Sequence, residues 1–86
     1  MLKNDKDEQY NIEIAKYLLK HLAITMQQYK RNPSVALAYE IGRRQRGLDL
    51  FPLYNKVPII IMLKITIMNN AVKRFVYKYI DPNFID

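Results

Sequence analysis

Residues 32–47 read NPSVALAYEIGRRQRG and carry signals for both ends of a short helix. Asn32 can cap the helix through its side chain, and Pro33 suits the first helical position, where a missing N–H costs nothing. Gly47 can adopt the left-handed conformation that ends a helix. We therefore predict a helix that begins after Asn32 and ends near Arg46.

The interior of this predicted helix combines a small residue with a charged exit. A glycine inside a helix costs roughly 1 kcal/mol relative to alanine, so we expect Gly42 to permit a close contact, either within the domain or with another chain. Glu40 has the spacing to pair with Arg43 or Arg44 on the helix surface. The apolar face of the helix comprises Val35, Leu37, Ala38 and Ile41, with Gln45 alongside.

A longer helix precedes this segment, from about residue 7 to residue 30. Its apolar residues recur at spacings of three and four, which is the period of an amphipathic helix. Such a stripe forms part of a core in most proteins, and a surface for a partner helix is the sharper alternative. The stripe consists of Ala15, Leu18, Leu19, Leu22, Met26 and Tyr29.

The segment that follows residue 47 is predicted as an apolar loop and then an ambiguous element. Pro52 and Asn55 punctuate residues 47–56, so we expect a loop that packs down on the domain. Residues 57–70 have strong β propensity, yet their length and the position of Pro58 favour a helix, which we predict. The face expected for that helix comprises Ile59, Met62, Leu63, Thr66 and Ile67.

Residues 72–80 alternate in a period of two, which is typical of a β-strand. Phe75, Tyr77 and Tyr79 would point to one side of it. A single strand cannot satisfy its own backbone hydrogen bonds, so it must pair with residues 57–70 or with a partner chain. The predicted fold is therefore α+β and mostly helical, with about three helices followed by one C-terminal strand.

Composition places the chain among small basic globular domains. The 86 residues have a net charge of +6 and no cysteine, and residues 51–80 carry five basic residues and no acid. A domain of this size is marginally stable alone, which favours an intracellular protein stabilised by a partner. The charged first ten residues do not resemble a secretory signal, and Lys64 interrupts the longest apolar run, so we expect no membrane span.

Little in the sequence indicates catalysis. His21 is the only histidine, and without cysteine it cannot form a zinc site of the usual kind. Ser34 has no base beside it and is expected to serve the start of a helix. Gly42 and Gly47 are the only glycines, so no phosphate-binding loop is present. We predict a protein without catalytic residues, cofactor, metal or small-molecule ligand.

Clustered cations leave a nucleic-acid-binding role open. Basic side chains can contact phosphates, and Tyr77 and Tyr79 beside Lys78 have the alternation of a base-stacking strand. The inner face of an ordinary strand explains that alternation more simply. The candidate phosphate-contacting residues are Arg43, Arg44, Arg46, Lys73, Arg74 and Lys78.

The order of these motifs resembles the omega family of multisubunit RNA polymerases, which comprises bacterial omega, archaeal subunit K, the eukaryotic sixth subunit and viral relatives. The family's core helix carries an alanine, a glycine four residues on and an arginine two further, which correspond here to Ala38, Gly42 and Arg44. Further correspondences are Pro58, Ile61 and Lys64 in the next helix, residues 74–79 in the strand, and Asp81, Pro82 and Asn83 in the turn after it.

This resemblance implies a non-catalytic subunit of a DNA-directed RNA polymerase that clamps the largest subunit and assists its assembly. It covers residues 32–86, with residues 1–31 as an N-terminal helical extension of a single domain. It implies partner contacts at Ala38, Gly42, Arg44, Phe75, Tyr77 and Tyr79. It also implies a location in the cytoplasm, nucleus or virion, with nucleic acid contacted indirectly. The rival hypotheses are a free-standing nucleic-acid-binding protein and a viral or phage interaction module that forms homo-oligomers or inhibits a partner.

Overall fold

Three helices in sequence form the structure. The computed structural model describes the backbone of residues 2–80 and the side chains of residues 8–80. Helix α1 spans Leu2–Arg31, α2 spans Val35–Tyr54 and α3 spans Ile59–Tyr79. Residues 2–80 contain no β-strand, so the predicted α+β fold is wrong and the fold is a small helical bundle. The turn expected at residues 81–83 lies outside the described residues.

The helices run alternately up, down and up. Short connections at residues 32–34 and 55–58 make consecutive helices antiparallel neighbours. At one end of the bundle, the Asn11 side chain donates to the carbonyl of Lys56 at 2.9 Å. At the other end, the Tyr29 hydroxyl donates to the carbonyl of Tyr79 at 3.3 Å. These two hydrogen bonds show that α1 and α3 run parallel to each other. The molecule measures 47 × 20 × 17 Å along its principal axes.

Helix α1 confirms the prediction made from its apolar stripe. Ala15 and Leu22 are fully buried, and the other four stripe residues are partly buried against the core. Thr25 is also buried, and its hydroxyl donates to the carbonyl of His21 at 2.8 Å. Helix α1 packs most extensively on α2 and contributes to the same core as α2 and α3.

Both predicted ends of α2 are wrong. Ser34, rather than Asn32, caps the helix, and its hydroxyl oxygen accepts a bond from the Leu37 N–H at 3.1 Å. The helix also continues through Gly47, which has no positive φ, and through Pro52. Packing explains the extension, because Leu48 is fully buried and Phe51 packs against the core. The expected loop over residues 47–56 is therefore mostly helix.

The C-terminal half of α3 replaces the expected strand. Val72, Phe75 and Val76 are buried at spacings of three and four, whereas Tyr77 is exposed. A helix satisfies its backbone hydrogen bonds internally, so this segment needs no strand partner. The helix predicted over residues 57–70 is confirmed, but it ends at Tyr79 rather than near Asn70.

The face predicted for the first half of α3 is not the buried one. Ile61 and Ile65 face the core, at 3% exposure each, and the expected set faces solvent. One buried cluster joins the three helices. It comprises Ala15, Leu22, Ala38, Ile41, Leu48, Ile61, Ile65, Val72, Phe75, Val76 and Ile80.

A polar bridge sets the register between α2 and α3. The Asn69 side chain accepts from Gln45 Nε2 at 3.2 Å and donates to Asp49 Oδ1 at 3.1 Å. Gln45 and Asp49 are one turn apart on α2, so a single amide on α3 joins two consecutive turns.

Candidate partner-binding face

Two of the residues expected to contact a partner lie in the protein's own core. Ala38 is 5% exposed and Phe75 is 8% exposed. The Phe75 ring lies edge-on to Tyr29 with ring centroids 5.9 Å apart, and 4.8 Å from the Tyr79 ring. Their side chains therefore hold the bundle together in the isolated chain.

Arg44 forms an ion pair with a residue of its own helix, α2. Its Nε lies 3.4 Å from Oε1 of Glu40, an i,i+4 pair that confirms the predicted partner. The nitrogen is covered from solvent, but the contact lacks the alignment of a hydrogen bond. Since both side chains are more than one-third exposed, the pair contributes only about 0.3–0.5 kcal/mol.

Gly42 does not serve a close contact within the bundle. A Cβ atom built at Gly42 would meet no atom within 4 Å, and the same is true at Gly47. Gly42 is nevertheless partly buried, whereas Gly47 is exposed. The space beside Gly42 is open to another molecule.

The two tyrosines expected on a strand have different surroundings. Tyr77 is 74% exposed. Tyr79 is half-exposed, and two ammonium groups lie near its ring, Lys30 Nζ at 5.3 Å and Lys78 Nζ at 5.5 Å from the ring centroid. These are cation–π contacts, which are worth about 0.5–1 kcal/mol at an exposed site.

The six candidate phosphate-contacting cations are divided between two helices. Arg43 and Arg46 are exposed on α2, while Arg44 pairs with Glu40. On α3 the exposed cations are Lys73, Arg74 and Lys78.

The first half of α3 exposes an unusual amount of apolar surface. Exposed apolar side chains occurring singly are normal, but a contiguous cluster marks an interaction site. Ile59, Leu63 and Ile67 follow one another at spacings of four along one side of the helix, with exposures of 75%, 53% and 66%. We define the apolar α3 face as Ile59, Ile60, Met62, Leu63 and Ile67.

Apolar surface continues at the adjoining end of α2. Leu53 is 72% exposed and Tyr54 is 80% exposed, and only four residues separate Tyr54 from the start of α3. The sequence contains a signal for this site, because the first half of α3 is apolar except for Lys64 and Thr66. A helix with apolar residues around most of its circumference leaves some of them exposed when only two neighbouring helices pack against it.

The single histidine of the chain lies on α1, beside an aromatic ring. His21 packs against Tyr17 with ring centroids 4.1 Å apart. Residues 8–80 contain no cluster of three histidine or acidic side chains that could hold a metal ion. None of the three helices, as far as they are described, has the apolar length needed to cross a bilayer.

Comparison with known protein families, with curated proteins and with solved structures finds no match for this chain.

Proposed function

We propose that this protein is a non-catalytic binding subunit that docks a larger protein on the apolar α3 face. One observation carries the proposal: five large aliphatic side chains on the first half of α3 are 45–75% exposed. Burying apolar surface contributes about 25 cal/mol per Å², so covering this face in a complex would stabilise both the complex and the bundle.

The largest subunit of a multisubunit RNA polymerase is the particular partner we propose. Of the helix-borne residues in the resemblance, Gly42 supports this choice, because the open space beside it leaves room for a second chain, whereas Ala38 is buried in the bundle. The strand-borne part of the resemblance lends no support, because residues 72–79 are helical. An assembly role is compatible with a small bundle whose apolar α3 face would be buried by a partner protein.

Nucleic-acid binding is the second candidate, favoured by the exposed cations of α2 and α3. Contacts with phosphates lose affinity steeply as salt concentration rises, because bound counterions are released. Docking on an apolar face persists or strengthens in high salt. Salt dependence therefore separates the two functions.

The test is affinity purification of the tagged full chain under native conditions, with nuclease and a high-salt wash, followed by mass spectrometry. We expect a large protein near one-to-one stoichiometry, and polymerase subunits if the particular proposal holds. Recovery of no protein, with material lost on nuclease treatment, would support the nucleic-acid function instead.

A pair of variants links the recovered partner to the apolar α3 face. Ile67→Gln removes a β-branched residue that is 66% exposed on α3, and Val35→Gln removes one that is 68% exposed at the start of α2. We expect Ile67→Gln to lower partner recovery, more so when combined with Leu63→Gln, and Val35→Gln to leave it unchanged. Equal losses in both variants would contradict docking on this face.

Gly42→Leu tests the polymerase-type contact separately. A leucine fits beside α2 in the isolated bundle, because no atom lies within 4 Å of the new Cβ position. If a partner packs on Gly42, the leucine should weaken association while the helical content stays the same. If Gly42→Leu assembles normally, Gly42 is not at the interface, and the proposal that a partner docks on the apolar α3 face is unaffected.

A further inference from the structure

The exposed side of α3 changes character along its length. Its first half is the apolar α3 face, and the second half carries the exposed cations Lys73 and Arg74, with Lys78 one turn further on. Ile67, Asn70 and Arg74 are spaced by three and four residues, so Arg74 continues the apolar stripe, and Lys73 and Lys78 lie on either side of it. We define Lys73, Arg74 and Lys78 as the cationic end.

No acidic residue compensates these charges on α3. The helix carries Lys64 and the cationic end, and it contains no aspartate or glutamate. Within the described part of the chain, the only ion pair is Glu40 with Arg44 on α2. Lys78 is near the Tyr79 ring, whereas Lys73 and Arg74 are exposed without an anionic partner among the described side chains.

A flat membrane does not fit this pattern. Helices that lie in a bilayer interface carry lysine and arginine along the polar flank, opposite the apolar residues. Here Arg74 follows the apolar residues on the same side, so pressing the whole length of this face into lipid would bury its guanidinium group. A partner surface that is apolar at one end and anionic at the other matches the exposed side of α3 better than a flat membrane does.

A second copy of this chain does not fit either. Parallel pairing of two α3 helices would bring Lys73, Arg74 and Lys78 against the same cations of the other copy. Antiparallel pairing centred on the apolar α3 face would place each cationic end beyond the start of the opposite α3. Residues 51–80 contain no acid, and the described acids at that end, Glu8 and Glu13, belong to α1 and not to the paired helix. Like charges in contact are destabilising.

We propose that the occupant of this face is an amphipathic helix of a partner protein, apolar over one half and acidic over the other. This rests on the proposed function and names the chemistry of the docked segment. From Ile59 to Lys78 the rise of an α-helix gives about 28 Å, which a helix of about 20 residues matches. The partner helix runs antiparallel to α3, because its acidic half is then N-terminal, where carboxylates complement the helix dipole.

The test measures binding of labelled synthetic peptides to the full chain by fluorescence anisotropy. The first peptide is a helix of about 20 residues with glutamates on one side of its N-terminal half and leucines on that side of its C-terminal half. The second peptide has glutamine at each glutamate position, and the third has the two halves exchanged. We expect the first peptide to bind most tightly and to lose affinity in high salt, which screens exposed charges.

Matched double variants test which cations contribute to binding of the acidic peptide. Lys73→Gln with Arg74→Gln should weaken binding of the first peptide by about fivefold at low salt, as expected for two exposed ion pairs. Arg43→Gln with Arg46→Gln removes the same charge from the exposed side of α2 and should change binding less than twofold, within the range of a weak surface effect. Leu63→Gln with Ile67→Gln should weaken binding at every salt concentration, and circular dichroism checks that each variant is folded.

Several results would overturn the inference. Equal affinity for the glutamate and glutamine peptides would show that the partner helix needs no acidic half. Equal losses of affinity in the two charge variants would show that only the net charge of the protein matters, not the position of Lys73 and Arg74. Tighter binding to vesicles of anionic phospholipid, dependent on the same residues, would assign the face to a membrane. A stable dimer that buries Leu63 would assign it to a second copy. If the Ile67→Gln variant loses its co-purified partner while no acidic peptide binds, docking on α3 stands and only the acidic chemistry fails.

Discussion

Ser34 holds the start of α2 through a single side-chain bond. Its backbone is extended, with φ −153° and ψ 156°, and its hydroxyl oxygen accepts from the Leu37 N–H. Capping serines contribute about 1 kcal/mol, because they satisfy an N–H that the helix leaves unpaired. Ser34→Ala should lower the free energy of unfolding by about that amount in urea denaturation.

Asn32→Ala is the control for this substitution. Asn32 is also a good capping residue and lies two positions earlier, but its backbone N–H donates to the Gln28 carbonyl at 2.9 Å, a bond that alanine keeps. We expect a change below about 0.5 kcal/mol, typical of a surface position. A larger effect at residue 32 than at residue 34 would contradict the observed cap.

Gly47 offers a stabilising substitution. It lies inside α2 on the exposed side, without a positive φ, and an added Cβ would meet no atom within 4 Å. Gly47→Ala should raise the free energy of unfolding by about 0.5–1 kcal/mol, because alanine loses less backbone entropy on folding. Thermal unfolding should show a rise in Tm of about 4–8 °C per kcal/mol for a domain of this size. A lower Tm would mean that residue 47 leaves the helix in solution.

At the scale of the element, the sequence of α3 fits two periods at once. Residues 72–80 alternate as a strand does, but Val72, Phe75 and Val76 also have helical spacing. The helical spacing becomes decisive only when Ile61, Ile65 and Met68 upstream are included, since they continue the same side. Residues 72–80 taken alone do not include those upstream positions. A single strand over these nine residues would also have left its backbone N–H and C=O groups without hydrogen-bond partners.

Phe75 and Tyr77 distinguish the two periods experimentally. A strand would place both side chains on one side, whereas α3 buries Phe75 and leaves Tyr77 74% exposed. Phe75→Ala should cost about 3–5 kcal/mol of stability, because a large buried ring is removed. Tyr77→Ala should change stability by less than about 0.5 kcal/mol in the same denaturation experiment. Similar losses at the two positions would contradict the helix.

Local signals at the ends of α2 also competed with packing. Asn32, Gly47 and Pro52 all mark helix ends in general, and none of them ends α2. The helix crosses Pro52, which alone costs about 3 kcal/mol of helix propensity, because Leu48 and Phe51 gain core contacts. Sequence patterns therefore predicted that α1, α2 and α3 exist, but their limits depended on contacts between distant residues.

Two features of the candidate site could be named from the sequence. The α3 cations are predicted phosphate contacts, and Gly42 is predicted to permit a close contact within the domain or with another chain, of which the bundle shows no contact within the domain. The sequence predicts a helical face that includes Ile59, Leu63 and Ile67, and the structure leaves these three side chains exposed. Only the position of α3 against α1 and α2 decides which side of a largely apolar helical segment is left uncovered.

At the scale of the whole molecule, the connectivity favours rapid folding. Three consecutive helices joined by short connections bring mainly near neighbours into contact, and such bundles fold in microseconds to milliseconds. We expect a single exponential relaxation faster than about 10 ms after a temperature jump. A slower main phase, in the range of seconds, would indicate a fold dominated by pairing between distant segments.

The parallel arrangement of α1 and α3 also gives the molecule an electrical polarity. Both helices end at the same end of the bundle, where Lys30 and Lys78 flank the Tyr79 ring and Arg31 is exposed nearby in the chain. Three basic side chains, Lys30, Arg31 and Lys78, therefore lie towards one end of the long axis, and the field of exposed charges extends about 10 Å in 0.1 M salt. An anionic molecule diffusing towards this protein is turned before contact so that it arrives at that end first, and the number of productive encounters per second rises accordingly.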